Sequence, residues 1–170
     1  MANKRIDINA VIDRVRLKEQ AADPVNPDAG FGWLFERNDG NFFFMNDAGN
    51  VFGPIGERYY TLTVPGTLTV NSGVVRIYNL TGRDLTISKV HLGVNTAPTG
   101  ATIIVDVNEN GTTIFTVQAN RPVIAIAAFS GESTTINAPT WNDENYIQAD
   151  IDQIGSTIPG SDLTITIVAS

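Results

Sequence analysis

The chain has 170 residues, a net charge of −7, 42% hydrophobic and 17% charged residues, no cysteine and one histidine. That length builds one ordinary domain with a real core plus an extension, and the low charge excludes a disordered chain or a coiled coil. The acidic balance argues against a sequence-independent nucleic-acid binder, the lack of cysteine excludes a disulfide framework, a zinc ribbon and a cysteine nucleophile, and the lone His91 excludes a two-histidine metal site.

The first element, residues 1–22, reads as a basic arm. Residues 1–18 carry Lys4, Arg5, Arg14, Arg16 and Lys18 against Asp7 and Asp13, a net +3, whereas residues 19–170 carry −10. A basic arm on an acidic body either docks on something acidic or frays into solvent. Its pattern fits two structures. Ile8, Val11, Ile12 and Val15 follow helical spacing, while Ile6, Ile8, Ala10 and Ile12 alternate as in a strand. A segment that satisfies both is expected to take its order from a partner. It holds no apolar run of signal-peptide length, and no stretch of the chain approaches the roughly 18–20 apolar residues that cross a bilayer. The expectation is a protein made and kept in the cytosol, away from membranes. The glycosylation patterns at Asn79-Leu80-Thr81 and Asn110-Gly111-Thr112 carry no weight without a secretory signal.

The second part, residues 23–57, opens on a linker. Two prolines, two aspartates and a glycine between Ala22 and Gly30 stop any helix and favour extended chain. A small β-meander follows: a strand over Gly32–Arg37, a turn at Asn38-Asp39-Gly40, a return strand over Asn41–Asn46, a turn at Asp47-Ala48-Gly49 and a last strand over Asn50–Gly53. Trp33 and Phe35 are expected to pair with Phe42 and Phe44 across the hairpin as one aromatic face. An isolated hairpin is marginal in water, so this one must pack on the main body or on another subunit.

The third part, residues 58–170, reads as all β. Candidate strands are Tyr59–Val64, Thr67–Val70, Val74–Leu80, Asp84–Leu92, Ala101–Asn108, Thr112–Gln118, Pro122–Phe129, Ser133–Asn137, Tyr146–Asp152 and Leu163–Ala169, separated by Gly, Pro and Asn turn signals. Short strands rich in Val, Ile and Thr at this spacing predict a jelly-roll-like β-sandwich rather than βαβ units. Leu163, Ile165 and Ile167 should face inward, as should Ile103, Val105 and Val107. Pro122–Phe129 differs, because both of its faces are apolar and both need cover. The chain's own loops or hairpin could supply that cover; a second subunit is preferred, and closed symmetry makes a trimer the natural form.

Chemistry is sparse. Asp106-Val-Asn108-Glu-Asn110-Gly111 matches the first half of an EF-hand loop, but the twelfth position is Val117 rather than glutamate, and strands rather than helices flank it. A hairpin with Asn-Gly at its tip is the preferred reading. Asp150 and Asp152, with Asp143 and Glu144 just before, could hold a cation or serve a glycosidase, but alternation with Ile147, Ala149 and Ile151 favours the solvated side of a strand. His91 reads as an ordinary strand residue, since no G-x-S-x-G elbow exists and no phosphate-binding glycine loop of standard spacing is present. Trp141, in a polar Pro-Thr-Trp-Asn-Asp loop, could stack on a sugar, bury at a subunit contact or cap the core. No catalytic residue, metal site or cofactor is expected.

Two stretches carry a resemblance. The segment from Pro24 to Ile55, with its Pro-rich linker, Ala29-Gly30-Phe31, aromatic strand, Asn-Asp-Gly, second aromatic strand and Asp47-Ala48-Gly49-Asn50-Val51, resembles the linker and hairpin of tailed-bacteriophage virion proteins, both fibres and head-decoration proteins. The run from Ala97 through Asp106, Asn108, Asn110 and Gly111 to Phe115 is similar to a hairpin in their jelly-roll domains. The resemblance implies a structural virion protein, trimeric, present in many copies and without catalysis. Within that class, a short chain with one compact β body and a basic arm suits a capsid decoration, or cement, protein on the capsid exterior. The partners expected are the major capsid protein and two further copies of the chain, with no nucleic acid and no membrane. Arg5, Ile8, Val11, Ile12, Arg14 and Arg16 are the candidate capsid contacts. Trp33, Phe35, Phe42, Phe44, Val123, Ile124, Ile126 and Phe129 are the candidate trimer interface. The alternative is a receptor- or carbohydrate-binding module of a tail fibre, with Trp141, Asp143 and Asp150 at an exposed tip.

Overall fold

A computed structural model describes residues 19–20, 22–37 and 42–170. The arm residues Arg5, Ile8, Val11, Ile12, Arg14 and Arg16, and the Asn38-Asp39-Gly40 turn, lie outside the described residues. The chain divides into two compact units, Met1–Gly56 and Glu57–Ser170.

The first unit is a four-stranded sheet in the order β1 (Glu19–Gln20), β2 (Gly32–Arg37), β3 (Phe42–Asn46) and β4 (Val51–Ile55). β1 runs parallel to β2, and the other pairs are antiparallel. The β3–β4 turn closes because the Asn46 carboxamide accepts the Asn50 N–H at 2.8 Å and Gly49 takes φ +79° at no steric cost. Trp33 stands opposite Met45, Phe35 opposite Phe43, and Leu34 opposite Phe44. Opposed residues share a face of a sheet, so Trp33 and Phe35 project to one side while Phe42 and Phe44 project to the other. This corrects the single aromatic face expected from the sequence. The pairing register decides it, and shifting one strand by one residue would exchange the faces. Phe35, Phe43 and Met45 form the small core of this unit, with the two phenyl rings stacked at 5.8 Å. The Arg37 guanidinium lies 4.0 Å over the Phe43 ring and grips Asp23 with two hydrogen bonds.

The second unit holds ten strands: β5 (Arg58–Thr67), β6 (Asn71–Tyr78), β7 (Leu85–Gly93), β8 (Ile103–Glu109), β9 (Thr112–Thr113), β10 (Val123–Ile124), β11 (Ser130–Ser133), β12 (Thr140–Trp141), β13 (Tyr146–Gln153) and β14 (Ser161–Ala169). One sheet runs β11-β7-β14-β5, with β12 also pairing β7; the other runs β10-β8-β13-β6, with β9 pairing β8. Inward side chains of both sheets, among them Leu92, Ile165 and Ile167 from one and Val105, Ile147 and Ile151 from the other, merge into one core. The result is an all-β, two-layer sandwich. Ile103, Val105, Val107, Leu163, Ile165 and Ile167 all point inward, as alternation predicts.

Four local readings change. β5 continues through Pro65-Gly66, because Gly66 at φ +82° and Asp162 at φ +56° form a bulge that the Asp162 carboxylate clamps by accepting the Gly66 N–H at 2.8 Å. The strand expected over Thr112–Gln118 ends at Thr113, after which Ile114 and Phe115 drop into the core and a 3₁₀ turn spans Gln118–Asn120. The strand expected over Ser133–Asn137 is instead Ser130–Ser133. Pro122–Phe129 is not one two-sided strand. Only Val123–Ile124 pairs, and the chain then turns, with Ala127 at φ +62° and the Ala128 N–H donating to Ala125 O at 3.0 Å. Of its large apolar side chains Ile124 enters the core, while Val123, Ile126 and Phe129 stay exposed along a turn between the two sheets. The segment does not form a strand needing cover on both faces.

Candidate functional site

The candidate interface residues separate into two groups. Phe35 and Ile124 are buried in the cores of their own units and are not available to a partner. Trp33, Phe42, Phe44, Val123, Ile126 and Phe129 remain exposed. On the first unit, Leu34 (54% exposed), Phe42 (38%), Phe44 (41%) and Phe52 (54%) make one apolar face, which the sequence reading of the hairpin had not included Leu34 or Phe52 in. The Phe44 ring lies over Gly32, where an added Cβ would come within 2.4 Å of it, and tilts against Phe52 at 6.3 Å. On the second unit, Ile126 and Phe129 project from the β10–β11 turn.

The outer face of the β10-β8-β13-β6 sheet is polar and partly buried. Asp106 stands directly opposite Asp150, and Asn108 directly opposite Gln148. The Asp150 carboxylate accepts the Gly73 N–H at 2.5 Å and the amides of Asn108 at 3.0 Å and Gln148 at 3.4 Å. Asp106 Oδ1 accepts the Thr113 hydroxyl at 2.7 Å and the Val107 N–H at 2.8 Å. Burial pushes the Asp106 carboxyl above its ordinary value, and the Asp152 charge adds to the effect. Asp152 pairs with Arg121. The expected solvated strand side is therefore a hydrogen-bonded network, because Gly73 of β6 and Thr113 of β9 donate to its carboxylates. No three Asp, Glu, His or Cys side chains gather as a metal-binding group among the described residues.

Asn110 and Gly111 form the tip of the β8–β9 hairpin, with φ of +46° and +82°, and Glu109 pairs with Thr112 across it. Two successive positive φ values suit a type I′ turn, which is why Asn-Gly stands there. Asp106 and Asn108 consequently lie on a strand and not in a calcium-binding loop.

His91 lies on β7 between Glu132 of β11 and Thr166 of β14. With Glu57, Tyr59, Lys89 and Val168 they line a shallow concavity of about 320 Å³. Lys89 pairs there with Glu132 at 3.4 Å, and the Tyr59 hydroxyl donates to Glu57 at 2.7 Å, which raises the Tyr59 pKa. No hydroxyl nucleophile with a hydrogen-bonded base and acid occurs there among the described residues.

Trp141 is fully buried. Its indole meets the Tyr60 ring edge-on, and its Nε1–H donates to Asn145 O at 3.0 Å. The reading of Trp141 as an exposed sugar platform is corrected: Thr140-Trp141 forms a short strand on β7 that turns the indole inward. Asp143 is likewise structural, accepting the Gly82 N–H at 3.0 Å, while Asp84 accepts the Asp143 N–H at 2.9 Å. Asn79, the first glycosylation candidate, is buried and donates to Arg83 O at 2.8 Å and Trp141 O at 3.0 Å.

No protein-family model matches the chain, and a search of curated proteins finds no match.

Proposed function

We propose that the chain is a non-enzymatic structural virion protein: a decoration protein that binds a tailed-phage head as a homotrimer and bridges subunits of the major capsid protein. The observation that carries this reading is the apolar face of Leu34, Phe42, Phe44 and Phe52. Four large apolar side chains left exposed on one face of a small sheet mark a surface for another protein, and a copy of the same chain is the occupant that closed symmetry favours. The strand order of the larger unit supports it further. Taking the eight main strands in sequence, first pairs with last and second with second-to-last, in separate sheets, an interleaving that we read as a jelly roll. Bridging is mechanical: each copy adds buried area at an equivalent lattice site.

Quantitative mass spectrometry of purified virions tests the reading. Hundreds of copies in simple ratio to the major capsid protein are expected. A few copies per particle, or none, would overturn it.

A further inference from the structure

The geometry points to a binding site for a neutral sugar ring on the outer face of the β11-β7-β14-β5 sheet. Two cross-strand rows build it. Glu132, His91 and Thr166 stand side by side on β11, β7 and β14, and Lys89, Val168 and Tyr59 do so on β7, β14 and β5. Opposed residues share a face of a sheet, as do residues two apart along a strand. The six therefore converge, with Glu57, on the concavity of about 320 Å³. That volume lies near the lower end of the range for ligand pockets, room for one ring and not for an extended chain. Val168, 4% exposed, is its floor, and Tyr59, 67% exposed, is its aromatic wall. The Tyr59 hydroxyl donates to the Glu57 carboxylate at 2.7 Å, which holds the ring in place before a ligand arrives and lowers the ordering cost of binding.

The polar groups select the class of ligand. The carboxylates of Glu57 and Glu132 disfavour an anion. A cation would have to compete with Lys89 for Glu132 and with the Tyr59 hydroxyl for Glu57. A neutral ligand that both donates and accepts hydrogen bonds meets neither obstacle. Lys89 and Glu132 are half-exposed and touch through one contact of 3.4 Å, which leaves ammonium hydrogens and a carboxylate oxygen for a ligand. The neutral His91 ring offers one donor and one acceptor nitrogen, and the Thr166 hydroxyl is held only loosely, 3.5 Å from that of Thr61. A pyranose matches this arrangement. Its C–H face can lie on the Tyr59 ring, and its hydroxyls, each donor and acceptor, can meet the polar rim. A purely apolar ligand would desolvate the rim without pairing it.

The inference is independent of the virion reading, and its test uses the full chain. The probes are the methyl glycosides of glucose, galactose, mannose and N-acetylglucosamine, titrated against the amide NMR spectrum of isotope-labelled protein. At least one is expected to give saturable shifts centred on Tyr59, Lys89, His91 and Thr166, with an affinity of about millimolar, as suits one small ring on an open site. Tyr59→Ala should weaken that sugar at least about tenfold. The Tyr59 side chain lies on the surface, so this variant should keep the wild-type melting midpoint, which separates lost binding from lost fold. His91→Ala, which removes a rim group and leaves the aromatic wall, should weaken the sugar as well. Tyr78→Ala, which removes an exposed tyrosine of the opposite sheet, should leave it unchanged. Spectra without saturable shifts for any of the sugars would overturn the proposal. So would binding that both Tyr59→Ala and His91→Ala leave intact. Acetate or methylammonium bound at these residues more tightly than every sugar would overturn it too, in favour of an ionic site.

Discussion

Tyr60 of β5 meets Trp141 of β12 edge to face, with ring centroids 4.9 Å apart and planes at 70°. β12 pairs only with β7, so this contact is a side-chain tie between the short strand and the opposite edge of its sheet. Trp141→Ala should therefore destabilise the larger unit by about 3–5 kcal/mol, the usual cost of emptying a buried indole site. Trp141→Phe, which keeps the aromatic pair and loses the bond to Asn145 O, should cost much less. Chemical denaturation checks both. A near-neutral Trp141→Ala would return the indole to the surface and restore it as a sugar platform.

Gly131 is placed where β10 and β11 close one side of the sandwich. A Cβ there would fall 1.9 Å from Val123 O. The obstacle is backbone, which cannot rotate away, so Gly131→Ala should cost about 2–3 kcal/mol, the scale of overpacking a tight site. Equilibrium unfolding would show it as a lower midpoint with an unchanged slope.

Asp106 sets a pH dependence of a particular sign. Its pKa is raised in the folded state, so the folded chain holds this proton more tightly than the unfolded chain. The resulting penalty is fully present above the raised pKa and disappears as pH falls through it toward the ordinary value. The advantage of Asp106→Asn over wild type should be largest at neutral pH and should shrink on acidification. An advantage that grew toward low pH would contradict the cause assigned to the shift.

The apolar face of the first unit should build the trimer. Leu34→Ser with Phe44→Ser is expected to turn a trimer into a monomer in sedimentation velocity, leaving the melting of the larger unit unchanged. Phe35→Ser should act differently: it empties the core of the first unit, and the sheet of that unit should unfold. A monomeric wild-type protein would remove the trimer.

Deleting residues 1–22 should abolish sedimentation with undecorated capsids while the Glu57–Ser170 unit keeps its melting midpoint. Charge reversal at Arg5, Arg14 and Arg16 should weaken capsid binding in a salt-dependent manner. A truncated chain that still decorates capsids would take the arm out of the interface.

Residue pattern alone determined the all-β class, the inward rows Ile103-Val105-Val107 and Leu163-Ile165-Ile167, and the Asn110-Gly111 hairpin. Each follows from local rules: side chains alternate along a strand, and two positive φ values in succession call for Asn-Gly. Tertiary structure decided the rest. Trp141 sits in a run of polar residues, and only the pairing of Thr140-Trp141 with β7 turns it into the core. Phe42 and Phe44 alternate as cleanly as Trp33 and Phe35, and only the register of β2 on β3 sends them to the opposite face. Val123–Phe129 is apolar throughout, and only the structure shows that it pairs over Val123–Ile124 and then turns, burying Ile124 and leaving Ile126 and Phe129 exposed. Asp106 and Asp150 lie more than forty residues apart in the chain, and only the β8–β13 pairing sets them face to face. The common reason is that alternation fixes which side chains share a face within one strand, while the partner they meet depends on contacts distant in sequence.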